Sequence, residues 1–133
     1  MNQNYFITGT DTGVGKTHVT ALLLAELRRR DLPAAGFKPI ACGAGGRADA
    51  QTYRKLMRNE VPLDVINPIY LRHPVAPSVA AKLEGQRIDL DKIHSVFRLL
   101  TSRLSLSKAP AAYLYRFAVT ISSPTLFVNS TYR

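Results

Sequence analysis

The sequence predicts an α/β domain with three layers around a mainly parallel sheet, opened by a phosphate-binding loop. Three observations carry this reading. A short apolar run, Tyr5-Phe6-Ile7-Thr8, leads directly into Gly9-Thr10-Asp11-Thr12-Gly13-Val14-Gly15-Lys16-Thr17. A helical pattern, Val19 to Leu27, follows at once. A second apolar run, Ala35-Gly36-Phe37, then ends in Lys38-Pro39, so strand, helix and strand alternate.

The first unit has the layout that phosphate binding requires. Gly13 and Gly15 let the backbone curl so that several N–H groups point at one anion. A helix starting near Lys16 adds its positive N-terminal end. Lys16 can reach the β and γ phosphates, and the Thr17 hydroxyl can ligate Mg²⁺. The standard pattern, Gly followed by four residues and then Gly-Lys-Ser/Thr, is not matched strictly. Its first glycine falls on Thr10, with Gly9 one place earlier. A Gly-rich turn with a surface lysine would share the composition but not the flanking strand and helix.

The next elements follow in order. Ala35 to Phe37 reads as a short buried strand ending in Lys38, and Pro39 punctuates a turn. Ala41-Cys42-Gly43 comes next; Cys42 reads equally as a small buried residue or as a contact in a site. Arg47-Ala48-Asp49-Ala50 opens a helix, where an acid suits the dipole. Asn67-Pro68-Ile69-Tyr70 reads as a strand end. Pro74-Val75-Ala76-Pro77-Ser78 is a turn, followed by a short helix that Gly85 caps. Asp89 to Leu100 is a further helix, with Leu90, Ile93, Val96, Phe97 and Leu100 on one face.

In combination these segments resemble dethiobiotin synthetase, an ATP-dependent enzyme of biotin synthesis. The resemblance rests on Gly9 to Thr17, on Ala35 to Ile40, on Asp49, and on the Asn67-Pro68, Pro74 to Ser78 and Lys82-Leu83-Glu84-Gly85 segments, and it covers residues 4 to about 100. It implies ATP and Mg²⁺ as cofactors. It implies carboxylation of 7,8-diaminononanoate with CO₂ (bicarbonate), activation of the carbamate by ATP, and closure of the ureido ring. By the same resemblance Lys38 is catalytic. Thr10, Asp11, Gly13, Val14, Gly15, Lys16, Thr17, His18 and Asp49 bind the nucleotide, Thr17 and Asp49 hold the metal, and Cys42 touches substrate. Cys42 stands where the family usually has Ser or Thr, a stronger hydrogen-bonding group than a thiol. The family works as a homodimer with substrate near the subunit interface. A partitioning-type ATPase or a cobyrinic-acid amidase relative is the other reading within this broad group; Lys38-Pro39 and Asn67-Pro68 argue against it.

Beyond residue 100 the resemblance stops, which predicts a partial family domain over 1–100 and a tail over 101–133 of different origin. No Asp or Glu follows Asp91. Where the family has Glu-Gly-Ala-Gly-Gly, with a metal-binding glutamate, this chain has Ser107-Lys108-Ala109-Pro110-Ala111-Ala112. One choice of G/C-ending codons for that hexapeptide, after a Leu106 codon ending in G, encodes Val-Glu-Gly-Ala-Gly-Gly when read one base earlier. Tyr113 to Thr120 likewise becomes Leu-Ser-Val-Pro-Ile-Arg-Arg-Asp. The sequence thus fits a frameshift between about Leu99 and Ser107; a divergent natural C-terminus is the other reading. Ala118-Val119-Thr120-Ile121 and Leu126-Phe127-Val128 are strand-like by residue type. A tail not selected to pack against the first part predicts an incompletely closed core and exposed strand edges. An inactive remnant, or a fragment that binds nucleotide only, is the alternative reading of the function.

Bulk properties bound the rest. At 133 residues the chain is one domain, and its net charge is +9. Six Lys and Arg lie beyond Asp91 without an acid to balance them, and no aromatic-basic interleaving occurs, so nucleic acid is not the expected partner. One cysteine excludes an internal disulfide and fits a reducing compartment. With neither a signal peptide nor a transmembrane run in view, the expectation is a cytoplasmic protein without a membrane partner. His18, His73 and His94 are too scattered to form a metal site.

Overall fold

The computed structural model describes residues 3–9, 11–45, 47–105 and 116–120. The described residues form five strands and five helices. They are β1 (Gln3–Ile7), α1 (Lys16–Arg29), β2 (Ala34–Phe37), β3 (Ile40–Cys42), α2 (Ala48–Leu56), α3 (Leu63–Ile66), β4 (Ile69–Leu71), α4 (Pro77–Leu83), α5 (Leu90–Ser105) and β5 (Arg116–Thr120). All strand pairs are parallel. One sheet has the order β1-β5-β2, and β3 and β4 form a second, two-stranded sheet.

The layering follows from β2. All four of its residues are buried, as a strand covered on both faces should be. Successive residues point to opposite faces. A Cβ on Gly36 would lie 2.8 Å from the Tyr53 ring of α2, whereas Phe37 meets Phe97 of α5 at 5.6 Å between ring centroids. Helices α2 and α5 therefore cover opposite faces of β2.

The main core gathers Leu24 and Leu27 of α1, Phe37, Tyr53, Met57, Ile66 and Leu100. A smaller core joins Ile40, Ile69, Leu71, Ala80 and Ala81, and Ile93 packs against both. Of the apolar face expected for α5, Ile93, Val96, Phe97 and Leu100 face the core. Leu90 does not; it is 44% exposed at the first residue of the helix. In α1 the buried stripe is Lys16, Thr20, Leu24 and Leu27, spaced three to four apart, while Val19 and Leu22 face outward.

Three further expectations are corrected. Asn67-Pro68 does not end a strand: Asn67 caps α3, its N–H bonded to the Leu63 carbonyl, and Pro68 leads into β4. A four-residue helix leaves no periodic signal to read. After the Lys38-Pro39 turn the chain forms strand β3, where the sequence reading places no strand. The expectation that the tail would not pack against the first part fails at residues 116–120. Strand β5 pairs with both β1 and β2, with Ala118 opposite Tyr5 on one side and Gly36 on the other. Leu126 to Val128, the other strand-like run, lies outside the described residues.

Candidate nucleotide and metal site

The loop between β1 and α1 is built by its glycines. Gly13 has φ 73° and Gly15 φ 96°, both in the left-handed region that costs a side-chain-bearing residue about 1–2 kcal/mol. Gly15 caps α1 without a side-chain bond, and the first helical bond runs from the Val19 N–H to the Gly15 carbonyl at 2.9 Å. The N–H groups of Lys16, Thr17 and His18 thus have no partner within the helix and head its positive end. The Asp11 carboxylate accepts from the Thr12 N–H at 2.7 Å and tightens the turn. Lys16 is buried to 8% exposure and folds its ammonium back onto the Asp11 carbonyl. Gly9 permits this: a Cβ there would stand 2.9 Å from Val14 and 3.4 Å from the Lys16 chain.

Facing the loop is a second cation. Lys38, 4% exposed, follows β2 directly, and its Nζ donates to the Asp49 carboxylate at 2.6 Å. Asp49 stands in the first turn of α2, half-open to the same cavity. Thr52, three residues on, shares its helix face and also lines the cavity. Cys42 ends β3. Burial pushes its thiol pKa up, the Glu84 carboxylate adds to the rise, and the Lys38 ammonium opposes it.

A cavity of about 730 Å³ connects these groups. It brings together Gly13, Gly15, Lys16, Thr17, His18, Lys38, Cys42 and Asp49 among the residues singled out from sequence. Asp11 and Val14 belong to the loop but not to the cavity wall, and Val14 is 56% exposed. Thr10 lies outside the described residues. The wall also holds Thr12, Ala21, Ala41, Thr52, Pro74 and the 43–45 loop, which sequence reading did not single out. For Thr52 the i, i+3 relation to Asp49 was the available signal. Gly43, at φ 95°, was legible as a turn glycine; a Cβ there would come within 3.3 Å of Pro74.

The donor set suits a magnesium-bound triphosphate. Backbone N–H groups and Lys16 offer only donors, which matches phosphate oxygens. Mg²⁺ takes one or two carboxylate or hydroxyl oxygens and completes its shell with phosphate and water. Thr17 and Asp49 carry such oxygens, and both residues line the cavity. No cluster of three or more His, Cys, Asp or Glu occurs among the described residues, so an all-protein metal cage does not form from them.

The sequence is similar to those of known proteins. The family described as an AAA domain matches residues 3–131. An ATP-dependent dethiobiotin synthetase of Akkermansia muciniphila is 46% identical over 87 residues, which is 65% of this chain and 40% of that protein. Proteins of the same name from an Anaeromyxobacter species and from Methanocaldococcus jannaschii are 42% and 39% identical, over 74% and 66% of this chain. The chain spans 40–45% of the length of these relatives. The family match covers nearly every residue, so the chain belongs to the AAA-domain family.

Proposed function

We propose that this chain serves biotin synthesis as a dethiobiotin synthetase, using ATP, Mg²⁺, CO₂ and 7,8-diaminononanoate. The observation that carries the reading is the convergence of Lys16, Lys38 and Asp49 on one cavity, in a chain whose relatives carry that name.

The roles follow from chemistry. Backbone N–H groups of Gly13 to Thr17 and the Lys16 ammonium hold the phosphates. Thr17 and Asp49 would hold Mg²⁺, which when bound neutralises phosphate charge. Lys38 faces the developing charge on the carbamate and the transferring phosphoryl group, where a fixed cation in a partly dry site is most effective. The carbamate oxygen attacks the γ-phosphorus and ADP leaves. The second amine then attacks the activated carbonyl, and phosphate departs as the ring closes. Cys42 would touch substrate, and Asp11 and His18 would take part in binding the nucleotide. A homodimer in the cytoplasm is the working form we propose.

The test is direct. Purified chain is incubated with 7,8-diaminononanoate, bicarbonate and Mg·ATP, and dethiobiotin is quantified by mass spectrometry beside Lys38→Ala. Product above the variant's background supports the reading; product equal to background in both contradicts it.

One observation favours a second reading, nucleotide binding without turnover. Asp49 is the only carboxylate on the described cavity wall, and no acid follows Asp91. On this reading residues 101–133 arise from a shifted frame. The gene decides it: if codons 107–112 cannot encode Val-Glu-Gly-Ala-Gly-Gly one base earlier, the shifted frame is wrong. If they can, restoring the frame should raise activity.

A further inference from the structure

We infer that Asn67, braced by Arg47, is the positioning residue that sets the Lys38–Asp49 pair. The inference rests on the proposed roles of Lys38 and Asp49 for its meaning, and on geometry alone for its existence.

Asn67 is fully buried, and each of its polar groups has a partner. Its amide donates to the Lys38 carbonyl at 2.8 Å and to the Ile69 carbonyl at 2.9 Å. Its Oδ1 accepts from Arg47 Nε at 3.2 Å, and its backbone carbonyl accepts from Arg47 Nη2 at 3.0 Å. A buried amide with all its groups matched specifies one geometry, since any shift leaves a polar group unpaired at about 1–3 kcal/mol.

The two ends of this network are the two ends of the ion pair. On one side the Lys38 segment is laced to the Asn67 segment. The Lys38 N–H donates to the Ile66 carbonyl at 2.8 Å, and the Ile69 N–H donates to the Pro39 carbonyl at 3.2 Å. On the other side Arg47 caps α2, two residues before Asp49. Its guanidinium is fixed from behind by Asp64 at 2.5 Å and lies over the Tyr70 ring at 5.8 Å. The Tyr70 hydroxyl in turn donates to the Gly43 carbonyl at 3.1 Å, on the cavity wall. Asn67 touches neither Lys38 Nζ nor the Asp49 carboxylate; it acts through the backbone of one and the helix start of the other.

The test reads the ammonium itself. In chain labelled with ¹⁵N-lysine, a Lys38 ammonium bonded to Asp49 gives a slowly exchanging ¹⁵Nζ signal, assigned by its loss in Lys38→Arg. Asn67→Ala and Arg47→Ala are expected to broaden it away or move it to the exposed-lysine position. Leu100→Ala, a core truncation on α5, lowers the melting temperature but leaves the signal in place. A wild-type Lys38 signal in folded Asn67→Ala or Arg47→Ala overturns the inference. Should Asn67→Ala not fold, Arg47→Ala decides alone. A second reading-dependent measurement separates the two levels: the ratio of ATP affinity with Mg²⁺ to that with EDTA. It should fall about tenfold in Arg47→Ala while affinity in EDTA holds. A wild-type chain without any magnesium effect counts against the proposed metal site, and the lysine signal still judges Asn67.

Discussion

The Lys38 ammonium donates to the Asp49 carboxylate at 2.6 Å across eleven residues of sequence, with Lys38 almost fully buried and Asp49 half-open to the cavity. Each group is the other's counter-charge. Asp49→Ala would leave an ammonium buried without a partner, a change that costs several kcal/mol in a dry interior and less beside an open cavity. We expect Asp49→Ala to lose about 2 kcal/mol of stability by urea unfolding. Lys38→Met in the same chain should restore most of that loss, because it removes the orphaned charge. A double variant as unstable as the single one would contradict the pair.

The close approach of α2 to β2 depends on Gly36. A Cβ at that position would stand 2.8 Å from the Tyr53 ring, with further atoms at 2.9 and 3.0 Å, and Tyr53 is fully buried. Gly36→Ala should therefore destabilise by about 1–3 kcal/mol, as overpacking does. Because α2 carries Asp49, the same variant should also shift the Lys38 ammonium signal. Thermal unfolding equal to wild type would show that α2 can move aside freely.

The 72–73 backbone is held by one carboxylate. Glu84 accepts from the N–H groups of Arg72 and His73 at 2.6 and 3.0 Å, and meets the His73 ring at 2.9 Å. The His73 ring, then its N–H, then that of Arg72, hold the Glu84 pKa below its usual 4.5. A carboxyl depressed in the folded state stabilises above its unfolded pKa, and that contribution is lost as pH falls through the folded value. Melting curves of wild type and Glu84→Gln should thus differ near neutral pH and converge as pH drops below the usual carboxylate range. A difference that persists unchanged into strong acid would rule out this linkage.

Cys42 reports the electrostatics of the cavity. Burial and Glu84 raise its thiol pKa, and Lys38 lowers it. Thiolate absorbance against pH should place the midpoint above an exposed cysteine's. Lys38→Met should move it further up, and Glu84→Gln should move it down. A midpoint insensitive to Lys38→Met would mean the ammonium lies elsewhere in solution.

Sequence made the loop legible because its geometry is local. Gly13 and Gly15 take their left-handed turns within five residues of Lys16, and the helix that follows begins beside them. Lys38 and Asp49 were legible only through family resemblance, since nothing in spacing says that a strand-end lysine meets the next helix. The Asn67 amide was out of reach altogether. Two of its partners, Arg47 and Lys38, lie 20 and 29 residues away, and a buried polar network is a property of packing, not of pattern. Strand β5 illustrates the same limit. Ala118 to Ile121 is strand-like by residue type, but the observed bounds, Arg116–Thr120, and the place between β1 and β2 are tertiary outcomes.

The central claim, that Gly13 to Thr17 with Lys16 hold a nucleotide triphosphate, is tested most directly by calorimetric titration of Mg·ATP into the chain and into Lys16→Ala. The account predicts saturable one-site binding that weakens by at least about tenfold in the variant, the loss expected for one charge-assisted bond to phosphate. Binding of equal strength in both chains, or no binding in the wild type, would contradict it.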